Sequence, residues 1–594
     1  MINYRQDEGE IAANNLLDQH TRKPDTMAFT KSLFQPLTRL GVAFAELTEL
    51  RWIDSAQGVQ LDGIGDIVGI ARDIPQSVFL PFFGYEGQPA GRAYGVARYR
   101  SEYEEYATSY KASDEEYRTM IKAKIIANSS HGLREDIIRS LTEVLEARAV
   151  EITNLGNANV RARVWKTYDD NIPIFQLIDK LIQPAAGVNL TFDYQPDEID
   201  FVDFDVLDSR GMFVRPSLAT WLDSTGALTE YAAASPRLPN NGLYMERSRT
   251  NAIRNPRMEG AVVSTSANPT ATNWKFGLGN GLIMRLIEAA TVAGMPTITL
   301  RCTGTPTASN SGLIIEPDAN AGKIMAIAAG DSVAFSCHMK VVRGNGDQAT
   351  RIYIRHRYFN TAGVAISQND KQIITAKDAI GLGRFTSIDV APAGAAYYSP
   401  FVYIQHLNQT TALDFDLMIG GFQIEKGGFA TSLILPTPGN PVAYTREAEY
   451  ITGALSDWFN KAQGTLFARY KPINLGSQIS KVFSILSSGT EEISIVTGES
   501  GKDGFTYVNP STATIQAYRG WDFSQAESII AVAFSGNRLV GAKNGILSPT
   551  FEIGDLPTNF SKFIIGNSFS GSIENLSYYP HAFTDSELIA ATRL

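Results

Sequence analysis

The chain has 594 residues, 44% hydrophobic and 19% charged, a globular composition that excludes wholesale disorder and calls for more than one core. A formal charge of −10, with no basic run, argues against nucleic acid as the main partner. Cys302 and Cys337 have no metal-ligand spacing and cannot make a disulfide framework, so two buried free thiols are expected. No apolar run reaches the roughly 18 residues of a bilayer span. The polar, acidic MINYRQDEGE of residues 1–10 does not read as a secretory signal, so synthesis in a cytoplasm without membrane insertion is the expectation.

Up to about residue 200 apolar residues recur at helical spacing. Leu33, Leu37, Leu40, Phe44 and Leu47 share one face of a helix that is broken or started near Pro36. Next comes LDGIGDIVGIARD, residues 61–73, with Gly63, Gly65 and Gly69 among aliphatics. A dinucleotide fingerprint needs Gly-x-Gly-x-x-Gly between a strand and a helix; here the last interval is one residue too long and a helix precedes. The packing reading is that Leu61, Ile64, Ile67, Val68 and Ile70 bury an apolar face while the glycines permit close backbone approach. Ser113-Asp-Glu-Glu116 is a capping box, followed by a stripe of Tyr117, Met120, Ile121 and Ile125. A second stripe, Leu133, Ile137, Leu141, Val144 and Leu145, starts after His131-Gly132. Two strand-like runs, AVEITNL and VRARVWK, are joined by a Gly-Asn-Ala-Asn turn; a helix around IFQLIDKLI and a closing strand GVNLTFDY complete a helix-rich α+β module over residues 1–200.

Beyond residue 200 the helical signal nearly vanishes. Alternating runs such as SVAFSCHMKVV and RIYIRHRYF, separated by Gly, Asn, Asp and Thr turns, predict antiparallel sandwiches. Residues 201–252 read as an extended connector with short strands, 253–447 as one sandwich and 455–594 as another, ending in the short helix of DSELIAATRL. The expected fold class is therefore multidomain: an α+β amino-terminal module, then two all-β sandwiches. No heptads or 20–50-residue repeats suggest a long fibrous shaft.

Catalytic patterns fail. His20, His131, His338, His356, His406 and His581 are scattered, with no His-Glu-x-x-His and no ligand cluster. GESGKDG at 498–504 lacks the Ser or Thr and the first-glycine position of a P-loop, and no Gly-x-Ser-x-Gly elbow occurs. The expectation is a protein without catalytic residues, metal or cofactor.

Two resemblances sharpen this. Leu61, Asp62, Ile64, Gly65, Ile67, Val68 and Gly69, then Asp114, Tyr117, Arg118, Ile125 and Asn128, follow an ordered pattern that resembles the amino-terminal module of tailed-phage baseplate proteins of the DUF2612 family, over about residues 10–195. The resemblance implies a module in a virion tail that docks beside a J-like wedge protein and near tail fibre or spike proteins, in six copies for a six-fold baseplate. Leu61, Ile64, Gly65, Ile67, Val68, Gly69, Tyr117 and Arg118 would then serve assembly and packing.

Further on, Arg215, Ser217, Ala219, Thr220, Asp223, Gly226, Pro236, Arg237, Gly242, Leu243, Glu246, Thr250 and Asn251, with Gln423, Glu425, Gly427, Thr431 and Ser432, resemble segments that frame a carbohydrate-binding-like jelly roll in phage tail proteins. Taken singly, Glu246, Arg247 and Arg249 read more simply as a surface charge cluster. Gly571, Ile573, Leu576, Tyr578, Glu587 and Leu588 resemble the closing strand of a concanavalin-like, laminin-G-type sandwich. A host-surface glycan is the implied ligand. Tyr518 and Trp521, in the turn-like QAYRGWDFSQ, are the candidate stacking platforms, although a tryptophan in a β-domain is more often core. The alternatives are a capsule or lipopolysaccharide depolymerase and a purely architectural tail protein.

Overall fold

The computed structural model describes residues 7–593 except 18, 20–22, 50, 76–81, 84–90, 93–108, 167–181, 183, 204–205, 240–241, 266–268, 278, 309–310, 319–322, 346–349, 376–381, 407–410, 474–478, 488–490, 500, 510–513, 524–525, 554–555 and 557–558. The chain forms two compact units, Met1–Asp197 and Glu198–Leu594.

In the first unit, α1 (Glu8–Asn14) packs on α2 (Pro24–Glu49), so closely that a Cβ on Gly9 would lie 2.8 Å from the Lys31 carbonyl. Pro36, expected to break or start a helix, sits inside α2. Proline removes one backbone donor, and a 26-residue helix absorbs that loss; the true start is Pro24, where the missing N–H has no intrahelical partner anyway. α3 (Val59–Val68) ends at Gly69, whose φ of 85° is the left-handed cap that favours glycine.

α4 (Asp114–Ser129) begins with the expected capping box: the Glu116 backbone donates to Ser113 Oγ at 3.3 Å and the Ser113 backbone donates to Glu116 Oε2 at 2.7 Å. It buries Tyr117, Met120 and Ile121, but Ile125 at the end of the expected stripe is exposed. α5 (Arg134–Leu145) buries Ile137, Leu141, Val144 and Leu145; Leu133, just before it, is exposed. Strands Ala149–Gly156 and Asn159–Trp165 form the expected hairpin, with Asn157 and Ala158 both at positive φ, and Asn189–Gln195 joins in parallel. The helix expected around IFQLIDKLI lies outside the described residues except for buried Ile182.

The second unit holds two sandwiches whose strand pairs are all antiparallel among the described residues. In the jelly roll a five-stranded sheet, centred on Leu413–Lys426, faces a seven-stranded sheet centred on Phe401–His406 and Thr350–Phe359. Leu300, Phe335, Ile354, Val402 and Phe415 fill the space between, with Cys302 and Cys337 as buried free thiols. The carboxyl-terminal sandwich packs a nine-stranded sheet, including Gln463–Pro472 and Gly571–Tyr579, on a seven-stranded one. α6 (Asp585–Ala591) closes the chain behind a Thr584–Glu587 capping box.

Residues 201–252 are more integrated than a connector. Ile199–Asp203 and Leu243–Met245 pair with Gly571–Tyr579, and Met212–Val214 pairs with Tyr450–Ala454. Gly242 is required there: its φ is 93°, and a Cβ would lie 2.1 Å from the Ile573 carbonyl. The carboxyl-terminal sandwich is thus built from segments on both sides of the jelly roll, which enters and leaves through the paired strands Arg249–Asn251 and Tyr444–Arg446.

A buried charge network joins these parts, which corrects the surface reading of Glu246. That residue is 2% exposed, and its carboxylate accepts from Arg237 Nη1 at 2.9 Å and lies 3.1 Å from Arg446 Nη1. Glu449 accepts from Arg215 at 2.7 Å, from Arg237, and from the Glu246 backbone at 2.8 Å. The backbone and hydroxyl of Ser432 also donate to Glu246. Burial opposes ionisation of Glu246, but Arg446 and Arg237 overcome it and hold the carboxyl down at about 2. Buried charges persist only when paired in this way. Arg446 and Glu449 were not singled out in the sequence; the surplus of Arg215 and Arg237 over Glu246 was the available signal.

Candidate interaction surfaces

The glycine-punctuated segment is a clasp within its own module. Leu61 and Gly65 face α4, where a Cβ on Gly65 would fall 1.8 Å from Tyr117 Oη, so only glycine allows the approach. Tyr117 Oη donates to the Ile70 carbonyl at 2.7 Å, and Arg118 donates to the Ile53 and Ala56 carbonyls, both at 2.8 Å. Asn128 reaches the Val68 carbonyl at 3.0 Å. Arg72 bridges Asp62 at 2.5 Å and Asp114 at 2.6 Å, with its guanidinium 4.6 Å over the Tyr117 ring. Ile64 and Val68 are half-buried against the same core. Ile67 is a correction: it is 87% exposed, because it lies on the face of α3 turned away from α4. Gly69 serves as the cap.

A largely exposed apolar stripe lies instead on α2. Phe29, Leu33, Leu37, Leu40, Phe44 and Leu47 recur every three or four residues and are between 44% and 69% exposed. A contiguous apolar stripe of that kind is uncommon on the surface of a monomeric protein.

The glycan candidates are a second correction. QAYRGWDFSQ is largely the strand Thr514–Asp522, paired with Lys502–Asn509, and not a turn. Trp521 is 5% exposed and packs on Phe505 and Tyr518; Tyr518 is half-buried against the same core. A register shift between Tyr518 and Trp521 turns both rings to the same core, so no ring face of Trp521 is open to a sugar.

Aromatic side chains also lie on the outward face of the jelly roll's seven-stranded sheet. Along Thr350–Phe359, Ile352, Ile354, His356 and Tyr358 point into the core, while Tyr353, Arg355 and Arg357 point out. Tyr353 stands directly opposite Tyr403, and Arg355 opposite Phe401. The Tyr403 ring lies against Gly312, where a Cβ would meet it at 2.5 Å. Arg355 is held by both Asp370 oxygens at 2.6 Å and sits 4.9 Å over Tyr403. Sequence reading missed this pair because the two tyrosines are 50 positions apart and meet only through strand register.

His356 is a buried core residue: its ring nitrogens meet Tyr398 Oη at 2.6 Å and Ser387 Oγ at 2.8 Å, and burial pushes its pKa down to about 4. These atoms imitate a nucleophile–base pair, but all three side chains are sealed in the core. Among the described residues no group of three His, Cys, Asp or Glu could hold a metal ion, and no helix is long and apolar enough to cross a membrane.

Residues 12–191 match the bacteriophage baseplate wedge 1 protein family. No curated protein matches the chain. Among solved structures, the CBM40 module of Ruminococcus gnavus IT-sialidase bound to α2,3-sialyllactose is 20% identical over 23% of this chain and 84% of its own, with a TM-score of 0.20. Domain 4 of the GH43 arabinanase AbnA from Geobacillus stearothermophilus, in complex with arabinotriose, is 18% identical over 25% of this chain and 73% of its own, with a TM-score of 0.22. The enzymatically active domain of bacteriophage CBA120 tailspike protein 2 is 14% identical over 28% and 29%, with a TM-score of 0.21.

Proposed function

We propose that this chain is a tail protein that docks into a phage baseplate through its amino-terminal module and presents its sandwiches to host-surface glycans, without catalysing a reaction. The observation that carries the reading is the wedge-family match over the same residues that expose the apolar stripe of α2. An isolated soluble protein gains nothing from that stripe; a subunit that buries it against a neighbouring baseplate protein gains about 25 cal/mol for each Å² covered. The glycan half rests on the outward face at the Tyr353–Tyr403 register pair, where the half-buried Tyr353 ring and the Arg355 guanidinium fixed over Tyr403 offer an aromatic and cationic surface to a sugar. Several copies per particle make weak sugar contacts effective by raising local concentration.

The test uses two full-length variants in assembling phage. Leu37→Asp with Leu40→Asp is expected to exclude the chain from particles while the purified protein still binds host cells. Tyr353→Ala with Tyr403→Ala is expected to leave incorporation intact and abolish cell binding. Normal incorporation of the first variant removes the docking surface, and normal cell binding by the second removes the glycan face. Sustained release of reducing ends from host polysaccharide overturns the non-catalytic part.

A further inference from the structure

A cavity of about 440 Å³ opens where the jelly roll's incoming strand meets the end of Leu413–Lys426, lined by Ser248, Arg249, Thr250, Ala252, Met325 and Lys426. Its size suits one or two sugar rings. The two cations in its wall differ. Lys426 is neutralised by Asp331, whose Oδ2 lies 2.6 Å from Nζ. Arg249 has no carboxylate within ion-pair distance among the described residues.

Its guanidinium is nevertheless fixed. Nη1 donates to the Lys426 carbonyl at 2.7 Å, the Phe429 ring lies 5.2 Å away, and the backbone of Gly427 packs so close that a Cβ there would fall 3.0 Å from Cζ. Nε is shielded from solvent and has no hydrogen-bond partner among the described residues. An immobilised, uncompensated guanidinium beside an open cavity is organised for an anion, because the ordering cost is already met and the remaining Nη protons can donate to a carboxylate. The remaining wall fits a sugar around that anion: hydroxyls at Ser248 and Thr250 for polar exchange, and Met325 and Ala252 for a C–H face.

We propose that this cavity binds a carboxylate-bearing monosaccharide unit, with Arg249 as the anion receptor. The proposal rests on the glycan reading above and adds the charge class of the sugar. The experiment titrates the full chain with glucuronate, galacturonate and N-acetylneuraminate, and with glucose as the neutral control, by ligand-observed NMR. At least one acid is expected to bind saturably where glucose does not. Arg249→Gln is expected to weaken it roughly tenfold or more, the loss for one charge-assisted contact. Ser248→Ala, on the cavity wall, is expected to weaken it a few-fold with unchanged melting. Binding of no acid, equal binding of acid and glucose, or wild-type binding by a folded Arg249→Gln each overturns the proposal. If no acid binds but Tyr353→Ala with Tyr403→Ala still abolishes cell binding, the cavity proposal falls and the glycan reading stands. If an acid binds as expected but cell binding ignores the tyrosines, the platform falls and the cavity stands.

Discussion

At the scale of single residues, steric and electrostatic constraints give sharp expectations. Gly65→Val would drive Cβ into Tyr117 Oη, so α3 has to part from α4. Overpacking of this order costs about 1–3 kcal/mol or more; differential scanning calorimetry should show a lowered transition for the amino-terminal unit and none of comparable size for the sandwiches. Glu449→Gln leaves Arg215 and Arg237 short of a carboxylate in a site fully shielded from bulk solvent. A loss of about 3–5 kcal/mol is expected, read as a shifted denaturant midpoint for the second unit. The glycine requirement was legible in the sequence because LDGIGDIV signals close packing by itself. The role of Glu246 was not, since a glutamate looks exposed until Arg446 arrives from 200 positions away.

Secondary-structure elements were legible in proportion to how local their causes are. The Ser113 capping box, the 156–159 turn and the strand over 332–342 depend on a few neighbouring residues, and all three appear, although Val333–Met339 is buried on both faces. Helical periodicity found the stripe of α2 but could not say how far its own chain would cover it, and in this structure its residues stay between 44% and 69% exposed. One consequence is counterintuitive: Leu33→Ser with Leu40→Ser should leave the melting temperature of the purified protein almost unchanged, since exposed positions usually contribute within about 0.5 kcal/mol. A large drop would mean that the stripe is already buried. Strand register was the least accessible feature, which is why the Tyr353–Tyr403 pair was missed and Trp521 was placed on the wrong side of its strand.

Over the whole molecule, buried ionisable groups set the response to acid. Burial, aided by Arg384 at His338, pushes His338 and His356 down to about 4, so both are neutral when folded. A depressed folded pKa means that the unfolded chain takes up the proton first. The stabilisation is complete above about 6.5 and is lost as pH falls toward 4, by up to about 3 kcal/mol per histidine at 1.4 kcal/mol per pKa unit. Glu246, held at about 2, adds a second loss between about 4.5 and 2. Chemical denaturation across pH 7 to 3 should show a steady decline beginning near 6.5, and His356→Gln should flatten its upper part.

Because the jelly roll begins and ends on two strands that lie side by side, between Arg249–Asn251 and Tyr444–Arg446, it is an inserted cassette whose ends already meet. Recombination at those two points would exchange one sandwich for another without disturbing the scaffold beneath. An incoming head would need its own counterparts of Thr431 and Ser432, whose hydroxyls complete the scaffold's ionic lock from the cassette side. Compatibility of an exchanged domain would then be decided at a pair of hydroxyl groups.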